Sequence, residues 1–414
     1  MELCARMTKQ LLLKEVEKGN CENLVLSPLS IDVVLNMVAA GSRGPTLEKM
    51  LGWLGAENIE EIKSQSLKMM AVAVGDQHLE KGEEEPVLCL VNGAWFDQRF
   101  TPKPSYTEDV LKGIYGCEAK TVDFVTRVVD EYQARMLCTN GEGDGSGGAV
   151  GDDVVDEINL WAEAASRGLI KKILPRGSLS QETALILANG LYFKGKWEHN
   201  LKFGADLTKK KPFYLLNGDN VSVPFMTSRN SYRRCGSFDG FQVLHIPYQS
   251  NSKRFSMYFF LPDERDGLQN LLEKLISDSG YSHEYSRLSK TKLDEFWIPK
   301  FKFSYDFDVS LTMKEMGMSF PFMENPEDFA EMVEIPKNLP FIGSKMIQKA
   351  FIEVDEEGTV ASAITRHSAT AGCSMYRPKN TSFVADHPFM FMIMEERSRL
   401  VIFTGAVLDP SKGE

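Results

Sequence analysis

Residues 355–382 read DEEGTVASAITRHSATAGCSMYRPKNTS, and 383–389 continue as FVADHPF. An apolar, strand-like run, Ala350 to Val354, leads in. Two more, Phe389 to Met394 and Leu400 to Val407, follow. Between them lies a stretch of small residues longer than the ~15 residues that a structureless connection usually reaches in a compact domain. Laid out as extended chain, Thr359, Ala361, Ala363 and Thr365 fall on one face, and Val360, Ser362, Ile364 and Arg366 on the other. The first face is uniformly small and suits packing into an existing sheet. The second is larger, ends in a charge and suits solvent. The segment reads as a loop that can also become a central strand; a plain disordered linker is the alternative its composition allows.

Working outward, residues 27–41 (SPLSIDVVLNMVAAG) carry a Ser N-cap, Pro at the first helical position and Ile31, Val34, Leu35 and Val38 at helical spacing, with Gly41 as the stop. A second helix follows from Thr46. Val87 to Phe96 and Ala184 to Phe193 are strand-like, yet each contains an Asn-Gly pair (Asn92-Gly93, Asn189-Gly190), which between apolar runs signals a hairpin turn. Residues 138–153 (CTNGEGDGSGGAVGDD) read as a flexible, glycine-rich inserted loop. Gly143, Gly145 and Gly148 there match a dinucleotide fingerprint in form only, because no strand feeds them. Ile158, Trp161, Ala162 and Ala165 then make one helix face, and Leu268, Leu271, Leu272 and Leu275 another. Phe255 to Leu261 and Phe296 to Phe303 are further strands. Helices and strands mix without β-α-β alternation, which predicts an α+β fold.

With 414 residues, 43% hydrophobic, the chain can bury a large core. The net charge of −11, with no basic run, argues against nucleic acid as a partner. No apolar run reaches membrane-spanning length, and the N-terminus lacks a signal-peptide core. Seven widely spaced cysteines (4, 21, 89, 117, 138, 235, 373), with no C-x-x-C, predict reduced thiols rather than a disulfide framework or a metal site. The expected location is therefore cytoplasmic, with unconventional export as the alternative. Catalytic motifs such as G-x-S-x-G, H-E-x-x-H or a P-loop are absent, and the six His residues are dispersed. Neither an enzyme nor a cofactor is expected.

Several segments together resemble the serpins, and among them the plant serpins, over nearly the whole chain. They are Asn23-x-x-x-Ser27-Pro28-x-Ser30-Ile31, Asn189-Gly-Leu-Tyr-Phe193-Lys-Gly-Lys-Trp197, Val223-Pro-Phe-Met226, His245-x-Pro-Tyr248 and Phe255-Ser-Met-Tyr-x-x-Leu-Pro262. Phe383-Val-Ala-Asp386-His387-Pro388-Phe389, with Phe403-x-Gly405-x-Val407-x-x-Pro410, is the most specific. The resemblance implies one domain over 1–414 with a large, mainly antiparallel central sheet. Additional sheets, about eight or nine helices, a metastable native state and an exposed reactive-centre loop go with it. It places Asn189 inside a strand, against the turn rule. It makes Glu356, Glu357, Gly358, Thr359, Val360, Ala361, Ser362, Ala363, Ile364 and Thr365 the hinge of that loop, and Gly372–Cys373 the bond a protease cuts. Ser27, Ser30, Asn189, Trp197 and Gln348 become the shutter and breach, where the central sheet parts.

The function this implies is suicide-substrate trapping of a serine protease, or alternatively a papain-like cysteine protease, by a monomer. The chain departs from the family pattern in three places, and the hinge and Gly372 departures favour a non-inhibitory serpin as the alternative. Val360, Ser362 and Ile364 interrupt the usual run of alanines, Gln348 replaces a histidine, and Gly372 is a poor specificity anchor.

Overall fold

The computed structural model describes residues 22–73, 86–124, 152–166, 168, 170–180, 182–230, 232–250, 254–277, 288–316, 326–336, 339, 344–359 and 382–413, with 3, 6, 7, 10, 11, 13 and 14 near the N-terminus. In chain order the elements used below are β1 (Leu24–Leu26), α1 (Pro28–Ala40), α2 (Gly44–Leu54), α3 (Ile59–Ala73), β2 (Val87–Asp97), β3 (Glu118–Val122), α4 (Asp152–Ala165) and β4 (Leu185–Lys196). Then come β5 (Lys209–Tyr214), β6 (Asn220–Met226), β7 (Tyr232–Phe238), β8 (Phe241–Pro247), β9 (Phe255–Pro262), α5 (Leu268–Ser277), β10 (Ser289–Lys292), β11 (Glu295–Pro299) and β12 (Phe301–Asp308). The chain ends with α6 (Val309–Glu315), β13 (Ser344–Val354), β14 (Gly358–Thr359), β15 (Ser382–Val384), β16 (Phe389–Glu395) and β17 (Leu400–Val407).

The central sheet runs β12-β13-β14-β4-β2-β3, with β13 also paired directly to β4. A seven-stranded antiparallel sheet, β1-β17-β16-β9-β8-β7-β10, packs against one of its faces, and a smaller sheet, β15-β11-β6-β5, adjoins. The expected α+β class holds. Along β4 the odd residues Leu185, Leu187, Leu191 and Phe193 join the main core. The even residues Ile186 and Ala188 join a second apolar cluster beneath α4, so this strand is buried on both faces and reads as a continuous apolar run.

That double burial resolves the Asn-Gly conflict. Asn92 and Asn189 face each other across the β2–β4 ladder, ten residues deep in antiparallel pairing, and neither makes a turn. The glycine-rich loop needs a correction at its C-terminal end. Asp152 and Asp153 open α4, and the remainder of 138–153 lies outside the described residues. Phe296 to Phe303 is two strands, divided at Lys300, because β11 and β12 belong to different sheets.

The motif residues have identifiable work. Ser27 caps α1, its Oγ accepting from Ser30 N at 3.1 Å. Asn23 Oδ1 accepts from Leu408 N and Asp409 N, both at 2.9 Å, and so fastens the chain's end to β1. His387 bridges Asp386 Oδ1 (2.8 Å) and Pro262 O (2.9 Å), tying the segment after the long loop to β9. A Cβ on Gly405 would stand 2.1 Å from Leu24 O, so only glycine lets β17 lie against β1 there. Cys117 and Cys235 are buried, and burial pushes both thiols up, away from reactivity.

One carboxylate in the turn after β16 sets an acid limit. Burial pushes Glu396 up, but hydrogen bonds from His245 (2.9 Å), Ser256 and Tyr258 (2.8 Å) outweigh it and hold the carboxyl at about 2, below its ordinary 4.5. A folded-state value below the unfolded one contributes stability above pH 4.5 and loses it as pH falls from there towards 2. Glu396→Gln should therefore flatten the fall of Tm across that acid window. An unchanged profile would assign the acid sensitivity elsewhere.

Candidate functional site

The site is the seam between β4 and β13. From Leu185 with Ser344 to Leu191 with Ala350 the two strands pair directly and in parallel. Above that point they separate, and β14 enters between them. Gly358 pairs with Lys196, and Thr359 pairs with Gly195 on one side and Val354 on the other, antiparallel to both. Gly195 and Val354 lie four residues beyond Leu191 and Ala350 in their respective strands, so they would face each other had the ladder continued. The start of the loop is thus already seated as the first two residues of a new central strand, and seating it required no slip of β4 along β13.

Thr359 is 1% exposed and faces the main core, where its Oγ1 shares a 2.6 Å hydrogen bond with Tyr248 OH. Desolvation by burial pushes the Tyr248 phenol far up, so it stays neutral there. Tyr248 stacks on Trp197, ring centroids 4.7 Å apart and 14° from parallel. Trp197 reads the turn before the wedge. Its Nε1 donates to Asp355 O and its backbone N to Glu357 O, both at 2.9 Å. Asp355 Oδ1 in turn accepts from Glu357 N (2.9 Å) and Gly358 N (3.1 Å), which closes the turn. Burial raises the Asp355 carboxyl all the same.

The acidic pair is held by cations and a hydroxyl from two connections, the one between β4 and β5 and the one between β11 and β12. Lys300 Nζ lies 2.8 Å from Glu356 Oε2, Thr208 Oγ1 donates to Glu356 Oε1 at 2.6 Å, and Lys202 Nζ lies 3.2 Å from Glu357 Oε2. Burial alone would raise the Glu356 carboxyl, but the bonds from Lys300 and Thr208 bring it below its ordinary value. Sequence reading missed Lys202, Thr208 and Lys300. A cation opposite an acidic pair has no local signature when the two lie 56 to 155 positions apart.

Lower on the seam the other predicted residues meet. Asn189 and Gln348 are direct partners. Gln348 Nε2 donates to Ser27 O at 3.2 Å, Asn189 Nδ2 to Asn92 Oδ1 at 2.5 Å, and Asn92 Nδ2 to Tyr115 O at 2.8 Å. Both amide carbonyl oxygens, and Ser30 Oγ beside them, are buried without a hydrogen-bond partner among the described residues. Buried acceptors left unsatisfied cost about 1–3 kcal/mol each, so the direct β4–β13 pairing is weakest in polar terms at this level. The predicted residues therefore form two clusters, Trp197 with the hinge and Ser27, Ser30, Asn189 and Gln348 six residues below it, roughly 20 Å along the strand. Val360, Ala361, Ser362, Ala363, Ile364 and Thr365, with Gly372 and Cys373, lie outside the described residues.

A central sheet with a loop poised between two of its strands defines a class, and comparison agrees. The family model for serpins (serine protease inhibitors) matches residues 2–133 and 150–410, and the chain belongs to the serpin family. The match passes over 134–149, which overlaps most of the glycine-rich stretch 138–153. The chain is similar to plant serpins in particular. It is 38% identical to Serpin-Z10 of Arabidopsis thaliana, covering 99% of this chain and 97% of that one. It is 34% identical to a probable non-inhibitory serpin-Z5 of the same organism, covering 94% and 79%. The solved structure of Arabidopsis AtSerpin1 in its native stressed conformation superposes with a TM-score of 0.81 at 34% identity, covering 99% and 97%.

Proposed function

We propose that this serpin traps a protease by letting it cut the loop at Gly372–Cys373 and then inserting the freed strand between β4 and β13. The observation that carries this reading is the seated wedge, a two-residue strand in which Gly358 pairs with β4 and Thr359 pairs with both β4 and β13. The chain supplies no catalytic group of its own. The protease contributes the nucleophile, and the protein contributes a strand that moves before the acyl-enzyme is hydrolysed. About fifteen residues at 3.3 Å each carry the tethered protease roughly 50 Å. Insertion replaces one parallel pairing by two antiparallel ones, a favourable exchange. Serpin loop insertion is itself a standard example of strand addition.

Incubation with a panel of serine and papain-like proteases, read on a denaturing gel with mass spectrometry, tests the reading. The expected result is an SDS-stable complex and a C-terminal fragment beginning at Cys373. Cleavage without complex, across every protease that cuts the loop, would overturn it in favour of a non-inhibitory role. The interrupted alanine run and the name carried by the serpin-Z5 relative support that second reading.

A further inference from the structure

Arg233, the second residue of β7, is 1% exposed. Burial brings its guanidinium down to about 10, and no carboxylate among the described residues stands beside it to offset the lost hydration. A charge that deep persists only when its hydrogen bonds are met. Nη1 donates to Asn230 O (2.8 Å) and Tyr232 O (2.9 Å), and Nη2 donates to Leu201 O (3.2 Å) and Ser228 Oγ (2.7 Å). The Nε group is buried with no partner among the described residues. The planar fork thus ties the segment between β6 and β7 to the connection between β4 and β5. Asn230 Nδ2, donating to Asn200 O at 3.2 Å, repeats that tie.

A stack of rings leads from this guanidinium to the wedge. Its carbon lies 4.7 Å from the centroid of the Phe296 ring on β11. Phe296 stacks on Phe203, centroids 5.4 Å apart and 22° from parallel, and Phe203 meets Trp197 edge to face at 6.1 Å. Trp197 lies on Tyr248, whose hydroxyl holds Thr359. Arg233 therefore grips both neighbours of Lys202, Leu201 through its carbonyl and Phe203 through Phe296. Lys202 pairs with Glu357, and Phe203 N donates to Glu356 O at 3.3 Å. β7 belongs to the seven-stranded sheet and lies outside the β4–β13 seam, so Arg233 is a fixed point against which the β4–β5 connection is set.

We propose that Arg233 is a positioning residue for loop insertion: from a sheet that does not open, it fixes Leu201 and Phe203 so that the β4–β5 connection holds the hinge with Thr359 seated at the head of the seam. This rests on the loop-insertion reading. Without the fork the connection can drift, and Glu356 and Glu357 lose their partners on it. Thr359 then leaves Tyr248 before the rest of the strand has followed. The acyl-enzyme is hydrolysed before insertion is complete, and the protease is released.

The test compares wild type with Arg233→Met and Arg233→Lys, using a protease of the panel that cuts the loop. It measures the rate of loop cleavage, the fraction of protease trapped, and Tm before and after cleavage. Cleavage should proceed at the wild-type rate, while the trapped fraction falls at least about fivefold in Arg233→Met, within the range that changing a linking residue produces. Arg233→Lys keeps a charge near Phe296 but cannot reproduce the fork, and should still lose about twofold. It also provides the reading if the Met variant does not fold. In a Phe296→Leu background, where the stack is already broken, Arg233→Met should cost little further trapping. A lowered Tm with the wild-type trapped fraction in either Arg233 variant would make Arg233 a structural staple and overturn the positioning role, as would losses that add independently of Phe296. Cleavage of wild type with neither complex nor a rise in Tm would overturn loop insertion, and the positioning role with it.

Discussion

Gly358→Val should turn the protein from a trap into a substrate. A Cβ at Gly358 would stand 2.1 Å from Gly195 O and 2.8 Å from Lys196 Cα, distances that real side chains do not show, and both obstacles are backbone. β4 yields little there, because it is laddered to β2 up to Lys194 and its next residues are held by Gln249 N donating to Lys196 O at 2.8 Å and by the Trp197–Tyr248 bridge. The wedge must therefore leave the sheet, and with it go the Thr359–Tyr248 hydrogen bond and the pairings that start the new strand. The loop should still be cut at the same bond. The fraction of protease trapped should fall at least tenfold, and the uncleaved protein should lose about 1–3 kcal/mol, the usual range for a lost buried contact. Titration of protease against inhibitor on a denaturing gel measures the first, and thermal unfolding the second. Undiminished trapping by Gly358→Val would show that insertion does not begin at this wedge.

Thr359→Arg should abolish trapping by a different route. Here the backbone can stay, but the side chain points into the core beside Tyr248 and stacked Trp197. A buried, unpaired charge of this kind costs on the order of 3–5 kcal/mol. At ~1.4 kcal/mol per tenfold, that shifts the race between insertion and deacylation by more than two orders of magnitude. Thr359→Ser keeps the hydroxyl for Tyr248 and should behave nearly as wild type, which separates the charge from the mere change of residue. An SDS-stable complex formed by Thr359→Arg at the wild-type rate would rule out the insertion mechanism.

Much of the fold was readable because the decisive signals are local. Ser27 and Pro28 start a helix wherever they stand before an apolar 3.6-residue pattern, and β16 and β17 read as strands from their unbroken apolar runs. The small-residue face of the long loop identified a segment able to join a sheet, and Thr359 does face the core. The opposite face, Val360, Ser362, Ile364 and Arg366, lies outside the described residues. What no local pattern records is that the sheet at Ala188 and Ile347 packs in one apolar cluster with α4. The Asn-Gly pairs misled for a related reason. The turn preference of Asn-Gly is a local tendency, and at Asn92 and Asn189 it is overridden by a strand buried on both faces and by the Asn189–Asn92 hydrogen bond.

By itself, then, the sequence determined the α+β class, through periodicity that is a property of the chain, and the serpin family, through motifs that resemble it. Only the tertiary structure decided which cations hold Glu356 and Glu357, which register the wedge takes between β4 and β13, and which parts of the seam are closed over by α4. Those depend on residues far apart in the chain meeting at one seam, Gly195 and Thr359 being 164 positions apart, and no local pattern records a contact that exists only once the sheet has formed.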